Sequence, residues 1–198
     1  YFMKRERTPT GAHWWLTIDG LDPQVQHDFQ YYVGGASRDV RVSDPFSHKV
    51  RTPVDNQISD AVYPGLQPYP GNETEGLVSV LHPGQSDFTF SDFQPPAQED
   101  LVIYELLLRD FVEQSSFQVL TDTLSYLDSL GVNAVELLPV SNFEGHGFWG
   151  YRPNAHLAMD KSYGPQDGLK QFVEAAHNRG IAVILDVVYN HITARSSI

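Results

Sequence analysis

The chain has 198 residues, 41% hydrophobic and 19% charged, a composition that suits one or two globular domains with a sizeable buried core. Thirteen Lys and Arg against 25 Asp and Glu leave a formal net charge of -12, which argues against a nucleic-acid partner, since such affinity rests largely on cations facing phosphates. The absence of cysteine excludes disulfides, thiolate metal sites and cysteine nucleophiles. No apolar run approaches the ~18 residues of a membrane span, and the opening YFMKRERTPTG holds no signal-peptide core, so the compartment stays unread.

Residues 1–95 read as short alternating stretches between turn residues. HWWLTIDG sets Trp14, Leu16 and Ile18 on one face, with Trp14 expected in the core; HDFQYYVGG repeats the pattern with Phe29, Tyr31 and Val33, and DVRVSDP with Val40 and Val42. Such alternation bounded by Gly, Pro and Asp predicts half-buried antiparallel strands, hence a small all-β sandwich over 1–95. SDFQPPAQED, with Pro95-Pro96, reads as a linker.

From residue 99 to 198 the period changes. LVIYELLL (101–108), VNAVELLPV (132–140) and IAVILDVV (181–188) are near-continuous apolar runs of the kind found in parallel strands. Between the first two, Phe117, Leu120, Leu124 and Leu127 recur at helical spacing before Gly131; between the second and third, Leu169, Phe172, Val173 and Ala176 do so between Pro165 and Gly180. The order β-α-β-α-β predicts a parallel α/β sheet with right-handed crossovers. A doubly wound sheet and a (β/α)8 barrel both begin this way, and a barrel of about 250 residues would be present here only as its first three strands and two helices.

Gly145-His146-Gly147-Phe148-Trp149-Gly150 matches the dinucleotide-binding glycine pattern, but Tyr151-Arg152-Pro153 follows where a helix must open, so nucleotide binding is rejected. The insertion 141–164 is long for a connection that normally takes about 2 to 6 residues. It carries Phe143, His146, Phe148, Trp149, Tyr151, His156 and Tyr163, which suits either sugar-ring contact or a mini-core of its own aromatics. Asp186, Asn190 and His191 lie at and beyond the carboxyl end of the third apolar run, where parallel α/β folds place ligands. A buried carboxylate without a partner costs several kcal/mol in effective desolvation, so Asp186 must have company. Arg109-Asp110 reads as a structural ion pair, and Glu136 as a buried, satisfied group rather than a catalyst. The histidine spacings spell no zinc site.

VIYELLLRDF, LGVNAVELLPVSNFEGHGFWGYRPNAHLAMDKSYG and RGIAVILDVVYNH resemble, in order and spacing, the first three strands of the α-amylase superfamily, glycoside hydrolase family 13, whose members act on α-glucosidic bonds in a (β/α)8 barrel. VSDPFS is similar to the β-sandwich that precedes the barrel in branching and debranching members, and only this resemblance implies that the sandwich is immunoglobulin-like. The resemblance implies that Tyr151 stacks beneath the sugar whose bond is cleaved, that His191 hydrogen-bonds one of its hydroxyls, and that Asp186 orients the residues around it. Asn190 matches a position that binds structural calcium in many members, although members with this N-terminal domain often lack the ion. The family's nucleophilic aspartate and acid/base glutamate follow the fourth and fifth strands, beyond Ile198, so no catalytic residue is assigned within the chain.

The resemblance thus implies an N-terminal portion of an α-glucan-active retaining hydrolase or transglycosidase, inactive alone, with starch, glycogen or maltooligosaccharide as partner. The alternatives are a non-catalytic α-glucan-binding protein and an unrelated parallel α/β enzyme. Three strands cannot close a barrel; leaving several hundred Å² of its apolar interior open would cost on the order of 10 kcal/mol, so the second half alone is expected to pack poorly or self-associate.

Overall fold

The computed structural model describes residues 1–35, 37–145 and 148–196. The first half forms three small antiparallel sheets. Strands β1 (Lys4–Thr8) and β2 (Gly11–Trp15) make a hairpin; β4 (Tyr31–Val33) and β5 (Val40–Val42) make another; β3 (His27–Phe29), β7 (Val78–Leu81) and β6 (Val50–Arg51) form the third sheet in that order.

Two expectations need correction here. The stretch 27–33 is two strands, because the Gln30 amide between them donates to the carbonyls of Glu75 (2.9 Å) and Leu77 (2.7 Å) and the chain changes sheet there. Trp14 is 56% exposed rather than in a core: every residue of β1 and β2 is exposed, and the Arg5 guanidinium lies over the Trp14 ring at 5.5 Å.

In the second half β8 (Ile103–Leu106), β9 (Ala134–Leu137) and β12 (Ala182–Leu185) form a parallel sheet in the order β12-β9-β8. The turn α1 (Leu108–Phe111) follows β8; the first crossover carries α2 (Phe117–Asp122) and α3 (Leu124–Ser129), and the second α4 (Gln166–His177). The helix expected after residue 117 is interrupted at Thr123. The hydroxyls of Thr121 and Thr123 donate to the carbonyls of Phe117 and Leu120, each at 2.7 Å, a local competition that disturbs the helical ladder. The four periodic residues Phe117, Leu120, Leu124 and Leu127 are nonetheless all buried.

These four join Phe172, Ala176, Val135, Leu137 and Leu106 in one core on the helix side of the sheet. By strand alternation, Ile103, Glu105, Glu136 and Ile184 face the opposite way, and none of them is buried. The insertion 141–164 is not a plain loop. It folds as an antiparallel hairpin of β10 (Ser141–Phe143) and β11 (Pro153–Met159), which bonds repeatedly through buried polar side chains.

The stretch 91–100 is pinned rather than free. Ser91 bonds the Glu174 carboxylate through both its N–H and its hydroxyl, and Phe93 stacks on His177 with centroids 3.9 Å apart and planes at 3°. Among the described residues no helix is long and apolar enough to cross a membrane.

Candidate sugar-contacting site

Asp186 follows directly on β12, and its N–H still donates to the Leu137 carbonyl at 2.9 Å, so the parallel pairing carries one residue past the strand. Alternation puts its side chain on the face away from the helices. There the carboxylate accepts a short hydrogen bond from the Tyr151 hydroxyl, which bridges 35 residues of sequence. Tyr151 is the partner that the buried-acid argument requires for Asp186.

The same bond lifts the Tyr151 phenol to about 12; partial burial adds to it, as do the charges of Asp186, Glu105 and Glu136. The phenol therefore keeps its proton and remains the donor, while Asp186 remains the acceptor.

Tyr151 is aimed by its neighbour. Gly150 has φ +94°, and a Cβ there would lie 2.5 Å from the Pro139 carbonyl oxygen and 2.8 Å from the Pro139 Cβ. Backbone so close cannot yield, so only glycine allows the chain to turn there and present Tyr151. No helix follows Gly150; β11 begins at Pro153, as the rejection of a nucleotide site requires. His146 and Gly147 of that glycine pattern lie outside the described residues.

The aromatic residues of the insertion divide. Phe143 and Tyr163 are buried, with ring centroids 6.2 Å apart, while Phe148 and Trp149 remain exposed beside Tyr151, as does Tyr189 beyond Asp186. The segments that carry the carboxylate and the phenol also expose aromatic side chains, a combination that suits the apolar faces and hydroxyls of a pyranose, with the Arg152 guanidinium 4.8 Å from the Phe148 ring. Two cavities, of about 230 and 610 Å³, are lined by other residues.

His191 is exposed and bonds neither Tyr151 nor Asp186; its backbone carbonyl accepts from His156 Nε2 at 3.2 Å, which ties the segment to β11. The Tyr189 ring lies 5.9 Å from the His156 ring. Asn190 is exposed as well. Calcium needs about six to eight oxygen ligands, and among the described residues no three His, Asp or Glu side chains gather as a metal group.

The Arg109–Asp110 ion pair forms with two contacts, at 2.7 and 3.1 Å. Glu136 differs from expectation: it is half-buried and accepts no hydrogen bond from the described residues. Glu105 went unremarked in the sequence. It pairs with Glu136 in the β8–β9 register, so two carboxylates sit side by side on the face that Asp186 shares. The available signal was a second acid interrupting an apolar strand.

Residues 110–197 match the sequence profile of the α-amylase catalytic domain. A malto-oligosyltrehalose trehalohydrolase from Saccharolobus solfataricus is 34% identical over 171 residues, covering 85% of this chain and 29% of that one. Among solved structures, a candidate α-amylase from Salmonella typhimurium superposes with a TM-score of 0.70 at 25% identity, over 97% of this chain and 29% of the other. A pullulanase from Group B Streptococcus, solved with maltotetraose, superposes with a TM-score of 0.58 at 26% identity, over 79% and 24%. The chain spans less than a third of the length of each of these relatives. With the profile, the curated relative and the solved structures all agreeing, the chain belongs to the α-amylase superfamily.

Proposed function

We propose that the chain is the N-terminal part of an α-glucan-active retaining glycosidase or transglycosidase. Its second half, from about residue 99, is read as the opening three strands of a (β/α)8 barrel, and its first 95 residues as the β-sandwich unit that precedes it. The observation that carries this reading is the Tyr151–Asp186 hydrogen bond at the carboxyl end of the third parallel strand, in segments that also expose aromatic side chains. The pullulanase solved with maltotetraose supports an α-glucan as the partner.

In this reading the Tyr151 ring lies beneath the sugar at the bond to be cleaved. Its phenol is spent on Asp186, which fixes the ring plane. The remaining capacity of the Asp186 carboxylate, with the His191 imidazole, addresses hydroxyls of the same sugar. The retaining reaction needs a nucleophile and an acid/base whose carboxyl groups stand about 5 to 5.5 Å apart. Glu105 and Glu136 are not assigned these roles, because they lie within strands of an open sheet rather than at a strand end. The pair is expected beyond Ile198.

Reading the coding sequence past the codon for Ile198 tests this. It should run through a fourth strand ending in aspartate and a fifth ending in glutamate, and the 198-residue chain alone should release no reducing ends from starch. A stop codon directly after Ile198 would contradict the enzyme reading and leave α-glucan binding without turnover. Starch hydrolysis by the 198 residues, abolished by Asp186→Ala, would contradict the assignment of the chemistry to later strands.

A further inference from the structure

Behind the hairpin that carries Tyr151 runs a chain of buried polar side chains. Asp160, at the end of β11, spends both carboxylate oxygens: one accepts from the Asn142 amide (3.0 Å) and the Phe143 N–H (3.4 Å), the other from the N–H (2.9 Å) and hydroxyl of Ser162. Asn142 in turn accepts from the Asn154 amide at 3.4 Å, and Asn154 accepts from the Thr193 hydroxyl at 2.6 Å. The Thr193 N–H donates to the Pro153 carbonyl at 3.1 Å. Asn142, Asn154, Asp160 and Thr193 are each less than 10% exposed.

The next residue, Lys161, continues the connection into the first half. Its ammonium is 3.1 Å from the Asp55 carboxylate and donates to the Val50 carbonyl at 2.6 Å, with both charged side chains almost fully enclosed. Asp55 is held in place by the N–H of Thr52 (3.0 Å) and its hydroxyl. Beside this ion pair, Val50 and Leu77 pack with Ala155 and Ala158 of β11 in one small core.

Polar groups sealed from water are costly unless each finds its partner, so a fully matched buried chain admits one arrangement and excludes others. The segment from Asp186 to Thr193 has no regular structure of its own. We propose that the chain Asp55–Lys161, Asp160–Asn142–Asn154–Thr193 is a positioning device: it ties the far end of that segment to β10, β11 and the N-terminal half, and so fixes the course of the segment that runs from Asp186 through His191. Thr193 and Asp160 are positioning residues that touch no substrate. This inference rests on the sugar-site reading for its consequence, and on the hydrogen bonds for its geometry.

The test pairs Thr193→Val with Thr193→Ser in the 198-residue chain, reading maltotetraose affinity and backbone amide resonances. Losing one buried hydrogen bond at the anchor should weaken binding by up to about tenfold and move the amide signals of residues 186–191. Thr193→Ser, which keeps the hydroxyl, should restore both, which a simple loss of packing would not do. Asp160→Asn, which turns an amide N–H₂ towards donors, should have the same effect from the other end of the chain; the Thr193 pair stands if that variant fails to fold. If Thr193→Val moves Asn154 but leaves the amides of 186–191 in place, the positioning role is overturned. If the unsubstituted chain binds no maltotetraose, the sugar reading fails, and the amide shifts still decide the inference.

Discussion

At the scale of single residues, the partnership of Tyr151 and Asp186 makes the most specific demand. The phenol is held up to about 12 chiefly by its hydrogen bond to Asp186, then by burial and the neighbouring carboxylates. For an acid raised in this way the folded state keeps a proton that the unfolded chain gives up, so the associated stability is whole below pH 10 and fades as the pH rises through 10 towards 12. Asp186→Asn removes the charge and weakens the bond, and the Tyr151 phenol should then titrate closer to 10. Ultraviolet titration at the phenolate band, with Tyr151→Phe as the subtraction control, reads this directly; an unchanged titration in Asp186→Asn would show that burial alone sustains the shift. That Asp186 needed a partner was legible in the sequence, because an acid in an apolar run must be compensated. That the donor would be Tyr151 was not legible, since 35 residues separate the two and no local period links them.

At the scale of elements, legibility tracked the period of the apolar residues. α4 runs between the proline and glycine that bracket its pattern, and the three apolar runs pair in parallel as their order requires. Where polar side chains overrule the pattern, the reading slipped. Thr121 and Thr123 interrupt the first long helix, Gln30 splits a strand, and Asn142, Asn154 and Asp160 give structure to an insertion that reads as a loop. Such bonds join residues that no sequence periodicity pairs.

The linker is a further case, since proline and polar residues say nothing of where a segment docks. Burial lowers the His177 pKa, against the opposing charge of Glu174, and one ring nitrogen, Nδ1, is sealed without a partner. Bonds from Ser91 lower that of Glu174. Both groups therefore bind fewer protons folded than unfolded. The stabilisation they provide is present above their ordinary values, 6.5 and 4.5, and is lost as the pH falls through the depressed ones. On acidification the protection of amides 91–93 against exchange, relative to the intrinsic rate at each pH, should fall before that of the core of α2 and α4. Simultaneous release of both regions would show that the linker has no separate equilibrium.

At the scale of the molecule, the helix side of the parallel sheet is closed by a continuous core, while the other face carries Glu105, Glu136 and exposed Ile103. The two halves meet through the enclosed Lys161–Asp55 pair and a small shared core, so the composition change near residue 95 marks a change of architecture rather than a loose joint. The most direct measurement is calorimetric titration of the 198-residue chain with maltotetraose, alongside Tyr151→Ala. Saturable binding that disappears in Tyr151→Ala is the predicted result. Binding indifferent to that substitution, or none at millimolar sugar, would contradict the assignment of this surface as a sugar site.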